Sequence, residues 1–127
     1  MSKKIVNSPD APPAVGPYSH SVLAGNMQFI SGQLGIDPAT GQLKETVEEQ
    51  AQQALINLGS ILKAAGMDYS NVVKATVYLH EMSDFPSVNK IYEKYFPENP
   101  PARACVAVKT LPLNALYEVD AIAVKSV

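Results

Sequence analysis

Apolar residues recur along this chain with two different periods. Val47, Ala51, Ala54, Leu55, Leu58, Ile61, Leu62 and Ala65 fall at i, i+4, i+7, i+8, i+11, i+14, i+15 and i+18. That spacing puts them on one stripe of an amphipathic helix. Thr46 and Glu49 before it match a capping box, in which hydroxyl and carboxylate satisfy the orphan N–H groups of the first turn. Gly66 suits the stop. A second stripe, Phe85, Val88, Ile91, Tyr92, Tyr95 and Phe96, predicts a helix that begins at Ser83 or Asp84, tolerates Pro86 in its first turn and ends at Pro97.

The other apolar runs are shorter and rich in β-branched residues. "KKIVNS" (3–8), "NVVKATVYLH" (71–80), "ARACVAVK" (102–109) and "YEVDAIAVK" (117–125) read as strands, and "SVLAGNMQFISGQLG" (21–35) as a hairpin turning at Gly25–Asn26. "PDAPPAVGPYSHS" (9–21), "IDPATGQ" (36–42) and "TLPLN" (110–114) carry the Pro, Gly and Asn of loops and turns. The order β-β-β-α-β-α-β-β over residues 1–127 predicts one α+β sandwich domain with a mixed sheet. Two helices cover only one face of such a sheet. Yet Ile122 and Val124 share a face with Glu118 and Asp120, and Ala104, Val106 and Val108 line one side of their strand. No strand shows a clean polar side, so the bare face calls for another copy of the chain. A homo-oligomer with clefts between subunits is expected.

Composition narrows the chemistry. The net charge is −2 and the lysines are scattered, whereas a nucleic-acid surface needs cations clustered on one face. One cysteine excludes an internal disulfide and fits a reducing compartment. "MSKKIVNSPD" lacks the apolar core of a signal peptide. A cytoplasmic location without membrane attachment is the expectation.

Arg103 is the only arginine and Cys105 the only cysteine, two residues apart in "PPARACVAV" (100–108). Residues i and i+2 of a strand share a face, which predicts that both look toward the side without helices. A planar guanidinium there can grip a carboxylate by two parallel hydrogen bonds. An ion pair to another subunit is the competing reading. If 102–109 and 117–125 pair as a hairpin, Glu118 lies nearby and can take a proton from water, or else simply pair with Arg103. Cys105 as nucleophile would need a histidine or helix N-terminus beside it, and neither histidine is placed there; its backbone groups matter more than its sulfur. His20 and His80 are too few for a zinc site, and no metal is expected. Gly32, in "SGQLG" (31–35), marks either a bulge or a close approach to a ligand.

"PPARACVAVKTLPLNALYEV" closely resembles the signature of the reactive intermediate/imine deaminase (Rid) family, in its archetypal Rid A branch. "GPYSHS" (16–21), "FISGQLG" (29–35) and "DFPSVNKIYEKYF" (84–96) follow in the family's order. The resemblance implies a homotrimer of chorismate-mutase-like fold with a ligand cleft between each pair of subunits. It implies cofactor-free hydrolysis of 2-iminobutanoate and 2-iminopropanoate to 2-oxo acids and ammonia. Those imines arise from enamines released by pyridoxal-phosphate-dependent threonine and serine dehydratases. In these terms Arg103 clamps the substrate carboxylate, the Cys105 backbone bonds the imine end and the carboxylate, and Glu118 positions and activates the water. Tyr18 and Phe85 wall the pocket, Gly32 permits close packing and Asn89 braces the adjoining helix edge. Val119 departs from the Ile or Met usual after the glutamate, a change of packing. A regulatory module binding small 2-oxo or amino acids in the same cleft is a second reading, and the resemblance also attaches a third, ribonuclease activity with inhibition of translation.

Overall fold

The computed structural model describes residues 2–126. Strands β1 (Lys3–Val6), β2 (Ser21–Ala24), β3 (Met27–Leu34), β4 (Val72–Leu79), β5 (Ala102–Ala107) and β6 (Tyr117–Val124) form one sheet in the order β1-β2-β3-β6-β4-β5. Helices α1 (Val47–Ala64) and α2 (Phe85–Tyr95) pack on each other and cover one face. This is the mixed α+β sandwich that the two hydrophobic periods require.

Local chemistry sets the ends of α1. The Thr46 hydroxyl accepts from the Glu49 N–H at 3.1 Å, and the Glu49 carboxylate accepts from the Thr46 N–H at 3.2 Å. At the other end Gly66 adopts φ 75°, and the Met67 N–H returns to the Leu62 carbonyl at 3.0 Å. That left-handed residue satisfies carbonyls the helix would otherwise strand. Inside, Leu55, Leu58, Ile61 and Leu62 are fully buried with Ala75, Leu79, Tyr117, Val119 and Ala123 of the sheet. Asp84 does precede α2, but its side chain makes no capping bond, and a 3₁₀ turn at Met82–Asp84 leads into the helix instead.

Two expectations change. Residues 102–109 and 117–125 do not form a hairpin. β5 runs parallel to β4, while β6 inserts between β3 and β4 and is antiparallel to both. The β4–α2–β5 crossover explains this: a helix that returns the chain to the same sheet edge delivers the next strand parallel. Residues 108–116 then carry the chain past β4 to the open slot. The second change follows from register. Arg103, Cys105 and Ala107 stand opposite Ala75, Val77 and Leu79, which point into the core, so Arg103 and Cys105 face the helices rather than the bare side.

The uncovered face is apolar at its centre. Phe29 lies opposite Ile122 and Met27 opposite Val124, and Ile5, Met27, Phe29 and Val106 are all exposed. No helix among the described residues is long and apolar enough to cross a membrane.

Gly35, beyond the end of β3, lets α1 approach, because a methyl group there would overlap the Gln50 backbone. Gln50 in turn accepts from the Leu116 N–H at 2.7 Å and donates to the Lys44 carbonyl at 2.9 Å. Gly35→Ala is expected to destabilise the fold by about 1–3 kcal/mol or more, measured by chemical denaturation.

Candidate active site

The expected site residues fall into two groups on opposite faces of the sheet. The first surrounds Arg103. Strand register brings its side chain under α2, where the guanidinium carbon lies 4.7 Å from the Tyr92 ring centroid and 5.3 Å from that of Phe85. Nη1 donates to Asn89 Oδ1 at 2.7 Å. Asn89 therefore orients the arginine directly. No carboxylate among the described residues lies within ion-pair distance of the guanidinium. Two aromatic faces and one amide hold the fork and leave further N–H donors for a ligand. A cleft of about 620 Å³ opens beside it, lined by Asn89, Tyr92, Glu93, Phe96, Pro101 and Arg103.

Cys105 is half-buried, and burial pushes its thiol upward against a smaller opposing pull from Arg103. A thiol held protonated is a poor nucleophile. Its main chain is better placed. β5 is the last strand of the sheet, and the Val108 N–H donates to the Leu79 carbonyl at 2.8 Å. Backbone groups of a strand alternate in direction, so those of Ala104 and Val106 also turn to β4. Those of Arg103, Cys105 and Ala107 turn to the open edge.

The second group surrounds Glu118. β6 presents it on the bare face, opposite Tyr78 on one side and Leu34 on the other. It borders a cavity of about 890 Å³ whose wall includes Tyr18, His20, Ser31, Gly32, Leu34 and Leu113. Gly32 lies where the β3–β6 register shifts, and a methyl group there would collide with the Glu118 carboxylate. The bulge reading holds, and the close approach seen at Gly32 is that of the Glu118 side chain. Glu118 has no hydrogen-bond or ion-pair partner among the described residues. Burial, then the charge of Asp120, raise its carboxyl above the ordinary glutamate value.

The loop carrying Tyr18 is tied down by polar contacts. The His20 N–H donates to Asn7 Oδ1 at 2.9 Å, while its ring accepts from the Ser8 N–H at 3.1 Å and bonds the Pro12 carbonyl at 2.7 Å. Ser31 Oγ donates to the Ser19 carbonyl at 2.7 Å. His20, Ser31 and Leu113 were not among the expected site residues. Their only sequence signal was proximity to Tyr18, to Gly32 and to Glu118. Leu113 and Asn114 adopt φ of 58° and 54°, a left-handed turn that holds an exposed leucine at the cavity rim.

Arg103 and Glu118 thus do not meet within one chain, and the intrachain ion pair between them does not form. Among the described residues no three His, Cys, Asp or Glu side chains converge on a metal position.

The fold and this divided site define an α+β protein with an arginine held by aromatic rings and an amide on one face and, among the described residues, an unpaired half-buried carboxyl on the other. A family model described as Endoribonuclease L-PSP matches residues 8–125, and the chain belongs to that family. A Bos taurus protein named 2-iminobutanoate/2-iminopropanoate deaminase is 52% identical over 126 residues, covering 98% of this chain and 92% of its own length. Reactive Intermediate Deaminase A, chloroplastic, of Arabidopsis thaliana is 50% identical, the match covering 97% of this chain and 66% of that longer protein. A crystal structure from Thermotoga maritima has a TM-score of 0.95 at 47% identity and covers 100% of both chains.

The raised Glu118 carboxyl has a testable sign. The unfolded chain ionises first as pH rises, so the folded state gains stability below the ordinary glutamate value and loses it as pH climbs through the raised one. Glu118→Gln should therefore melt above the wild type at pH 7, and the difference should vanish near pH ~3, as followed by calorimetry across that range.

Proposed function

We propose that this protein hydrolyses small 2-imino acids, 2-iminobutanoate and 2-iminopropanoate, to the 2-oxo acids and ammonia without a cofactor. The observation that carries this reading is a pair of charges uncompensated among the described residues: a guanidinium with no carboxylate partner and a half-buried carboxyl with no cation. The names of relatives at about half identity support it.

The two groups sit on different faces, so a complete site needs two copies. Contact between non-equivalent faces is heterologous and makes a ring when its rotation closes. A homotrimer, with three clefts, is the ring we propose. It also buries Phe29, Met27 and Val106. Each cleft takes Arg103, Asn89, Phe85 and the Cys105 backbone from one subunit, and Glu118, Tyr18 and Gly32 from the next.

The chemistry follows from those groups. Arg103 grips the substrate carboxylate by two parallel bonds. The outward Cys105 carbonyl accepts from the iminium N–H, which sets the C2 carbon toward Glu118. Ionised Glu118 takes a proton from water as the oxygen attacks C2, giving a carbinolamine. The protonated Glu118 returns that proton to nitrogen. Ionised Glu118 then takes the hydroxyl proton as the C=O bond forms and C–N breaks, and the departing ammonia carries that proton away as ammonium. Imine hydrolysis proceeds in water unaided, so lowering the barrier by roughly 3–4 kcal/mol already gives several hundredfold. One oriented water and a fixed substrate are sufficient for that. Pyridoxal-phosphate-dependent dehydratases acting on threonine or serine are the proposed source of substrate. The family's ribonuclease description is not adopted, because at a net charge of −2 the chain has no cationic stripe for RNA.

The test couples a threonine dehydratase to semicarbazide trapping of the imine. Wild type should suppress trapping, Arg103→Ala and Glu118→Gln should not, and Cys105→Ser should remain active. A refolded equal mixture of the two inactive variants should regain roughly a quarter of wild-type activity, since random assembly pairs an intact arginine with an intact glutamate in that share of clefts. An inactive mixture that has demonstrably exchanged subunits would overturn the shared cleft. Acid should abolish turnover as Glu118 protonates, at a pH above the ordinary glutamate range.

A further inference from the structure

Beside the Arg103 side chain lies a small cavity of about 10 Å³, bordered by Val77, Phe85, Asn89, Tyr92, Arg103 and Tyr117. Two phenols reach this region. Tyr117 is 0% exposed and Tyr92 5% exposed, and neither hydroxyl has a hydrogen-bond partner among the described residues. Buried polar atoms are almost always satisfied, by protein or by ordered water. A cavity of this volume is close to the least that admits one water. The surroundings are polar enough to hold it: two hydroxyls, each able to donate and accept, and a guanidinium with donors left over after its single bond to Asn89. The mutual influence of Tyr117, Tyr92 and Arg103 on ionisation agrees with their closeness.

We infer that Tyr117 and Tyr92 hold one internal water that bonds the inner side of the Arg103 guanidinium, so that Tyr117 is a positioning residue for the arginine. Stacking over Tyr92 and Phe85 fixes the plane of the fork, and Asn89 fixes one nitrogen. The fork can still swivel within its plane about that bond. A water anchored to the sheet by Tyr117 removes that freedom and presents the outward N–H pair in one orientation. This inference rests on the proposed role of Arg103 as the carboxylate clamp, but it is tested on the arginine itself.

Because Arg103 is the only arginine, its side-chain N–H resonances are unambiguous in a nitrogen-labelled NMR spectrum. Tyr117→Phe should speed guanidinium rotation and proton exchange. It should weaken binding of 2-oxobutanoate, and raise KM, by about 3- to 10-fold with kcat little changed, the loss expected of one indirect bond to a charged group. It should not raise Tm. Tyr92→Phe should act in the same direction, and the double variant should lose no more than the worse single one, because both remove the same water. Unchanged Arg103 exchange in folded Tyr117→Phe would overturn the inference, as would a raised Tm, the signature of deleting a hydroxyl that had no partner. Neither readout needs turnover: absent hydrolysis by wild type would defeat the proposed reaction and leave this test standing.

Discussion

Side chains of a strand alternate between two faces, and that alternation separates Arg103 from Glu118. The arginine lies on the helix-covered side of the edge strand. The glutamate lies on the bare side of β6, beyond β4. No rotamer brings them together through an intervening sheet. A site that uses both must be built from two copies, which makes assembly a condition of chemistry in the proposed mechanism. The apolar bare face supplies a driving force for that assembly, with Phe29 and Ile122 paired at its centre.

The two halves are made rigid by different means. Arg103 rests on aromatic rings and an amide from α2, so the position of that helix sets the direction of the cation. The Glu118 half depends on close approach of backbone. Gly32 makes room for the carboxylate, and Ser31 and His20 stitch the Pro-rich loop bearing Tyr18 to β3. Among the described residues neither charge has an oppositely charged partner. The half-buried Glu118 therefore keeps an electrostatic cost, visible as a raised carboxyl, that a substrate or a neighbouring subunit can offset.

The Cys105 position shows why residue identity and residue role differ. Its thiol is driven toward the neutral form by burial, while its N–H and C=O point out from the last strand of the sheet. An edge strand is ordinarily a hazard, because its free backbone groups pair with other chains. Placed next to Arg103, the same groups offer a donor and an acceptor to a small polar ligand.

The helices, the caps of α1 and the approximate strand boundaries were legible in the sequence because they depend on local spacing: the Thr46–Glu49 box, the Gly66 stop and the stripe from Val47 to Ala65 are set within a few turns of chain. The chemically notable residues were legible as well, since a lone arginine in an apolar strand and a glutamate in another are anomalies of composition. Pairing was not legible. Adjacent strands in sequence suggested a hairpin between 102–109 and 117–125, but α2 must return the chain parallel to β4, and β6 then fills the slot between β3 and β4. That choice reverses the face on which Arg103 and Cys105 lie. It also brings Tyr117 beneath the arginine, where no local pattern could have placed it. Periodicity assigns residues to the two sides of a strand. Only long-range packing of the helices decides which side becomes the core, because that depends on the burial available to the whole sheet.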